Sequence, residues 1–160
     1  MLDVQKLKDI REDHDLSQKD MANILKVNRS TYSLWELGIN IIPIKYLSLF
    51  ADYFNYSIDY ILGITNQKES NYLIKGFDIN KLATNLKEIR LENGLSQENI
   101  ATILGVSQPC IARYEKGLIE MSTSNLYRFS KEFNVSISKL CGKEREKRRN
   151  KLKNIKVLNK

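Results

Sequence analysis

Apolar residues in the first sixty positions recur in short bursts at helical spacing, each closed by a polar or glycine-bearing break. Val4, Leu7 and Ile10 step along one helical face before Asp15-Leu16-Ser17 interrupts them. Ser17 is a good N-cap, and Asp20 stands where a capping box needs it. The helix that starts at Gln18 turns Met21, Ala22 and Leu25 inward and ends at Lys26-Val27. Asn28 caps a third helix carrying Tyr32 and Trp35, which stops at Gly38, where a left-handed C-cap is easiest for glycine. Pro43 or Ile44 opens a fourth helix with Leu47, Phe50, Ala51 and Phe54 inward; Ser57 caps a last turn with Ile58, Ile61 and Leu62, closed by Gly63. No alternating strand pattern of useful length occurs, so the expected class is all-α.

The same pattern is written again 79 positions later. Residues 7–63 and 86–142 align without a gap, and about a third of the paired positions are identical. Leu-Lys-x-Ile-Arg recurs at Leu7 and Leu86, Leu-Ser-Gln at Leu16 and Leu95, and Glu-x-Gly at Glu36 and Glu115. Phe50, Phe54, Asn55, Ser57 and Ile58 face Phe129, Phe133, Asn134, Ser136 and Ile137. A period this long signals duplicated domains and not a solenoid, whose units run roughly 20 to 50 residues. The expected organisation is two tandem five-helix domains, 1–65 and 78–142, a linker at 66–77 and a basic tail at 143–160.

Two short helices joined by about three residues, with a small residue inside the first, make helix-turn-helix geometry. Ala22 and Ala101 sit where the paired helices cross, and Val27 and Val106 fill the turn. In both copies the run Leu-Ser-Gln-x-x-x-Ala-x-x-Leu-x-Val, followed by Trp or Tyr, Glu-x-Gly, resembles the lambda-repressor-like, or XRE-type, helix-turn-helix family. The resemblance extends from the first helix through the fifth of each copy.

That resemblance implies double-stranded DNA as the partner, with the third helix of each domain in the major groove and its outward N-terminal residues at base edges. Those positions are Arg29, Ser30, Thr31 and Leu34 in the first copy, and Gln108, Pro109, Cys110 and Arg113 in the second, with Lys116 beyond them. Gln18 and Gln97 correspond to the family glutamine that holds a phosphate or braces the recognition helix. Arg11 with Glu36, and Arg90 with Glu115, correspond to the family's partly buried ion pair and are assigned to architecture. Arginine reads guanine bidentately and glutamine can read adenine, so Gln108 and Arg113 are competent readers. Leu34 offers at most contact with a thymine methyl, and simple solvation is the alternative for any one exposed polar residue.

Charge sharpens this contrast between the copies. The chain carries 26 Lys and Arg against 19 Asp and Glu, a formal +7. Residues 143–160 hold nine basic and two acidic residues and so account for all of it, leaving the rest neutral. Asp9, Glu12, Asp13 and Asp15 even form an acidic patch in the first copy. Non-specific attraction to phosphate is therefore expected mainly from the tail and the second domain, the tail read as a backbone-contacting arm, with a solvated segment as the alternative and room for a helix through 144–153. Its apolar stripe, Leu152, Ile155 and Leu158, is too thin for membrane-surface binding.

The linker has polar residues at 66–71, one glycine, Gly76, and no proline; an ordered connector is the expectation, although a dozen extended residues could reach about 40 Å. Ile39, Ile41, Ile42, Pro43 and Ile44 form the most apolar loop, part of it expected to close the core and any exposed part to suit a subunit or interdomain contact. Tyr60, Ile61 and Lys139 are interface candidates because family members commonly pair through their last helices; a homodimer is one expectation.

Other chemistry is thinly represented. Cys110 and Cys141 are too few and too far apart for a zinc site, and Cys141 stands at the core position of Leu62. His14 is the single histidine and belongs to no triad or cluster. Neither a glycine-rich phosphate loop nor a paired-carboxylate signature is present, nor a signal peptide or transmembrane run. The expectation is a cytoplasmic, non-enzymatic transcriptional regulator, most readily a repressor, without metal or small-molecule cofactor. The rival is a protein-interaction or antitoxin-type module whose first domain mediates dimerisation or partner binding.

Overall fold

A computed structural model describes residues 2–68 and 74–144. Ten helices occur among them, five in each half: α1 (Gln5–Asp13), α2 (Gln18–Leu25), α3 (Arg29–Glu36), α4 (Ile44–Phe54) and α5 (Ile58–Ile61), then α6 (Ile79–Glu92), α7 (Gln97–Leu104), α8 (Gln108–Glu115), α9 (Thr123–Phe133) and α10 (Ile137–Leu140). The all-α expectation holds, and every α3 position has its α8 counterpart 79 residues on.

Capping chemistry sets these boundaries. Ser17 accepts from the Asp20 backbone while the Asp20 carboxylate accepts from the Ser17 backbone, a reciprocal capping box that Ser96 and Asn99 repeat at α7. Asn28 caps α3 through the Thr31 N–H at 2.8 Å, Ser57 caps α5 and Asp78 caps α6. Helix α2 ends with Lys26 in the left-handed conformation, where its counterpart Gly105 sits at no steric cost.

Each half contributes its own buried set to one hydrophobic cluster. Leu7, Met21, Leu25, Tyr32, Ile44, Leu47, Phe50, Ile58 and Ile61 are buried in the first, and Leu82, Leu86, Ile100, Leu104, Ile111, Leu126, Phe129, Ile137 and Leu140 in the second. Ala22 and Ala101 are both buried at 2 % exposure, which lets α2 meet α3 and α7 meet α8 closely. Trp35 packs edge-on against Tyr32 and lies 5.3 Å from the ring of Tyr46, so these three aromatic residues pack together. His14 ends α1, and its ring sits 4.6 Å from that of Phe54.

The two halves share a seam. Asp59, 5 % exposed, accepts from the backbone N–H groups of Ile137 and Ser138 at 2.8 and 3.0 Å and from the Ser138 hydroxyl at 2.7 Å. It thereby caps α10 from the other domain. Thr123 donates its hydroxyl to the Ile42 carbonyl at 2.6 Å, and the Lys45 N–H reaches Glu120 at 3.2 Å. The apolar loop thus divides as its pattern suggests: Ile42 and Ile44 are buried, while Ile39 and Ile41 stay exposed. Among the interface candidates, the Tyr60 carbonyl accepts from Lys6 and the Lys139 carbonyl from Asn85, both inside their own domain. The polar contact across the seam falls one residue earlier in each copy, on Asp59 and Ser138.

Lys143 departs from the expected tail. Its side chain is 1 % exposed, and its ammonium donates to the Ser48 hydroxyl at 2.6 Å, the Asp52 carboxylate at 2.6 Å and the Gly76 carbonyl at 3.0 Å. With three acceptors the buried ammonium is fully satisfied, so this charge locks the second domain to α4 and is not offered to phosphate. Both ends of the connector are pinned as well. Ser57 donates its N–H to the Lys68 carbonyl and its hydroxyl to that of Gln67, while the Gly76 N–H reaches Asp52 and the Ile74 N–H reaches the Lys143 carbonyl. Residues 69–73 and the basic stretch from 145 onward, including the expected tail helix, lie outside the described residues.

Candidate nucleic-acid interface

Helices α3 and α8 present their N-terminal residues on a braced platform. Arg11 donates to Glu36 through Nε at 2.6 Å and a terminal nitrogen at 3.0 Å, and its other terminal nitrogen holds the Leu16 carbonyl at 2.7 Å. Arg90 does the same for Glu115 at 2.5 and 2.9 Å and for the Leu95 carbonyl at 2.9 Å. One arginine therefore fixes α1 or α6, the loop before the next helix, and the C-terminal end of the recognition helix.

Each carboxylate receives a further bond from the glutamine at the start of the second helix. Gln18 donates to Glu36 at 2.9 Å and Gln97 to Glu115 at 2.8 Å. Burial acts to raise both carboxyls, but the bonds from arginine and glutamine outweigh it and hold them below their ordinary value. Of the two roles that the resemblance implies for these glutamines, bracing is the one visible. Tyr32, beside Glu36, keeps a buried hydroxyl without a hydrogen-bond partner among the described residues.

The outward positions differ between the halves. On α3, Arg29 and Ser30 are exposed and Thr31 and Leu34 half-buried; on α8, Pro109 and Arg113 are exposed and Gln108 and Cys110 half-buried, with Lys116 exposed beyond. Pro109 lies in the first turn of α8, where a missing N–H costs little. Gln108 donates to the Gln97 Oε1 at 2.8 Å, giving an unbroken chain from Arg90 through Glu115 and Gln97 to the first residue of α8. Arg90 with Glu115, and Gln97 as a brace, follow from the resemblance; the bond that adds Gln108 spans eleven positions and leaves no periodic signal in the sequence. Arg29, at the matching position on α3, has no such chain behind it among the described bonds.

Other candidates fall away from this surface. Burial pushes the Cys141 thiol up to about 12, consistent with its place in the core. Among the described residues no group of three His, Cys, Asp or Glu is placed to hold a metal ion, and no helix is long and apolar enough to cross a membrane.

The helix-turn-helix family matches the chain twice, at residues 7–61 and 86–140. Antitoxin PezA of Streptococcus pneumoniae is 31 % identical over 64 residues, which are 40 % of this chain and 40 % of that protein's length. A transcriptional regulator from Listeria innocua is 31 % identical over 48 % of this chain and 71 % of its own, with a TM-score of 0.39. The restriction-modification controller protein C.AhdI from Aeromonas hydrophila is 27 % identical over 39 % of this chain and 96 % of its own, with a TM-score of 0.37.

Proposed function

The chain belongs to the helix-turn-helix family through both of its halves; on that premise we propose that it is a sequence-specific DNA-binding repressor that inserts α3 and α8 into the major groove. What supports this most is the paired construction of the surface: in each half an Arg–Glu–Gln set fixes the recognition helix while its first turn is left at the surface. Rigid placement matters because base readout needs donors and acceptors within hydrogen-bond reach of base edges.

The second domain is the principal reader. Arg113 is exposed on α8 and Gln108 is held by Gln97. The first domain is the weaker reader through Arg29, Ser30 and Thr31, with Leu34 in the place of Arg113. Residues beyond 144 supply sequence-independent attraction to phosphate through their excess of lysine and arginine. Repression then follows from occupancy of the site, since an occupied site is closed to other proteins.

A second reading rests on Leu37, Ile39 and Ile41, which are 66, 65 and 49 % exposed beside α3. Such an apolar strip suits a protein partner, as in an antitoxin-type module. Footprinting the full chain on DNA enriched from a random pool separates the two. Selective protection of major-groove edges supports the regulator, and binding without selection supports the interaction module.

A further inference from the structure

The halves of this chain follow one another in sequence, yet the Asp59–Ser138 contact between them is that of a two-fold pair. Asp59 and Ser138 hold the same position in the two copies, 79 apart, and they bond to one another. A residue touches its own counterpart near an axis of two-fold rotation, whereas a translation would bring unlike faces together. A second bond lies on the same seam. Thr123 bonds Ile42, and their counterparts, Ile44 and Met121, are buried at 0 and 2 % exposure. A third position shows where the symmetry breaks. Lys143 fills the space beside Ser48 and Asp52, but the counterparts Ile64 and Lys131 line an open cavity of about 350 Å³.

Resting on the DNA-binding reading above, we propose that one chain binds an inverted pair of unlike half-sites at a single fixed spacing, without recruiting a second chain. Two-fold-related recognition helices meet the duplex in opposite strand senses, so the half-sites run inverted although the domains run in tandem. None of the four outward positions is shared: Arg29 faces Gln108, Ser30 Pro109, Thr31 Cys110 and Leu34 Arg113, so the two halves of the site differ. The spacing is set by the buried bonds of Asp59 and Lys143 and not by the length of the connector. The surface that would pair two copies is occupied within one.

The test uses the full chain on a site enriched from random DNA, with two altered versions of that site. In one, a half-site is reversed to make a direct repeat; in the other, about 5 bp, half a helical turn, is inserted between the halves. Each change should weaken binding by roughly 10³-fold or more, to the level of unrelated DNA, and the mass of the complex on the parent site should correspond to one chain. Equal binding to the direct repeat, tolerance of the insertion, or two chains on the parent site would overturn the proposal while leaving selective DNA binding intact. Enrichment of no sequence at all would overturn both.

Discussion

Asp59 caps α10 through Ser138, the residue that stands in its own place in the second copy, with carboxylate and hydroxyl 2.7 Å apart. The contact joins two domains that each bury only a modest core, so cooperation between them is expected to contribute to the stability of both. Asp59→Ala leaves the N–H groups of Ile137 and Ser138 without their acceptor. It should cost at least about 1–3 kcal/mol in urea denaturation and should separate one transition into two. A single unshifted transition would mean that the seam carries no coupling.

Lys143 tests the same seam from the other side. Lys143→Met should destabilise by up to about 3–5 kcal/mol, because the half-buried Asp52 carboxylate loses its ammonium partner. Pairing it with Asp52→Leu should restore much of that loss. If the single variant is as stable as the parent, the ammonium is not part of the lock.

Truncation after Glu144 separates the lock from the basic stretch beyond it. Affinity for all DNA should fall, and the slope of log affinity against log salt should flatten by roughly 0.9 for each lost phosphate contact. Preference between sites should survive. An unchanged slope would show that these residues do not touch the backbone.

The two ion pairs give the acid limb of stability. Glu36 and Glu115 have carboxyls held below their ordinary value of 4.5 in the folded chain, burial opposing the shift and the arginine and glutamine bonds dominating it. A depressed folded value means that the contribution is present above the unfolded value and is lost as pH falls through the folded one. Glu115→Gln should therefore lower stability at neutral pH and flatten the acid limb of a denaturation series from pH 7 to about pH 2. An acid limb identical to the parent's would exclude the pair as its source.

Local order was legible in the sequence because its signals are local. Ser17 with Asp20, Asn28 and Ser57 name their helix starts by residue type, and the Arg11–Glu36 pair recurs at Arg90 and Glu115, so the repeat itself marked it. The seam was not legible. Asp59 in the first turn of α5 looks like an acidic residue placed for its own helix, and nothing local says that it serves α10. Lys143 opens a run of lysines and arginines, so by composition it reads as tail, and only the acceptors of α4 and Gly76 make it core. The same seam alters how the halves can be studied. A fragment starting at 78 would strip Lys143 of all three acceptors, so point variants in the full chain are the sounder comparison.

Base reading by α8 is tested most directly by enrichment of bound sites from random DNA by the parent chain and by Arg113→Ala in parallel. The parent should enrich one site. The variant should bind that site about 1–3 kcal/mol more weakly and lose preference at one base pair, while Leu34→Ala on α3 changes less. Identical enriched sites from the parent and Arg113→Ala, with both proteins folded, would show that α8 does not read bases.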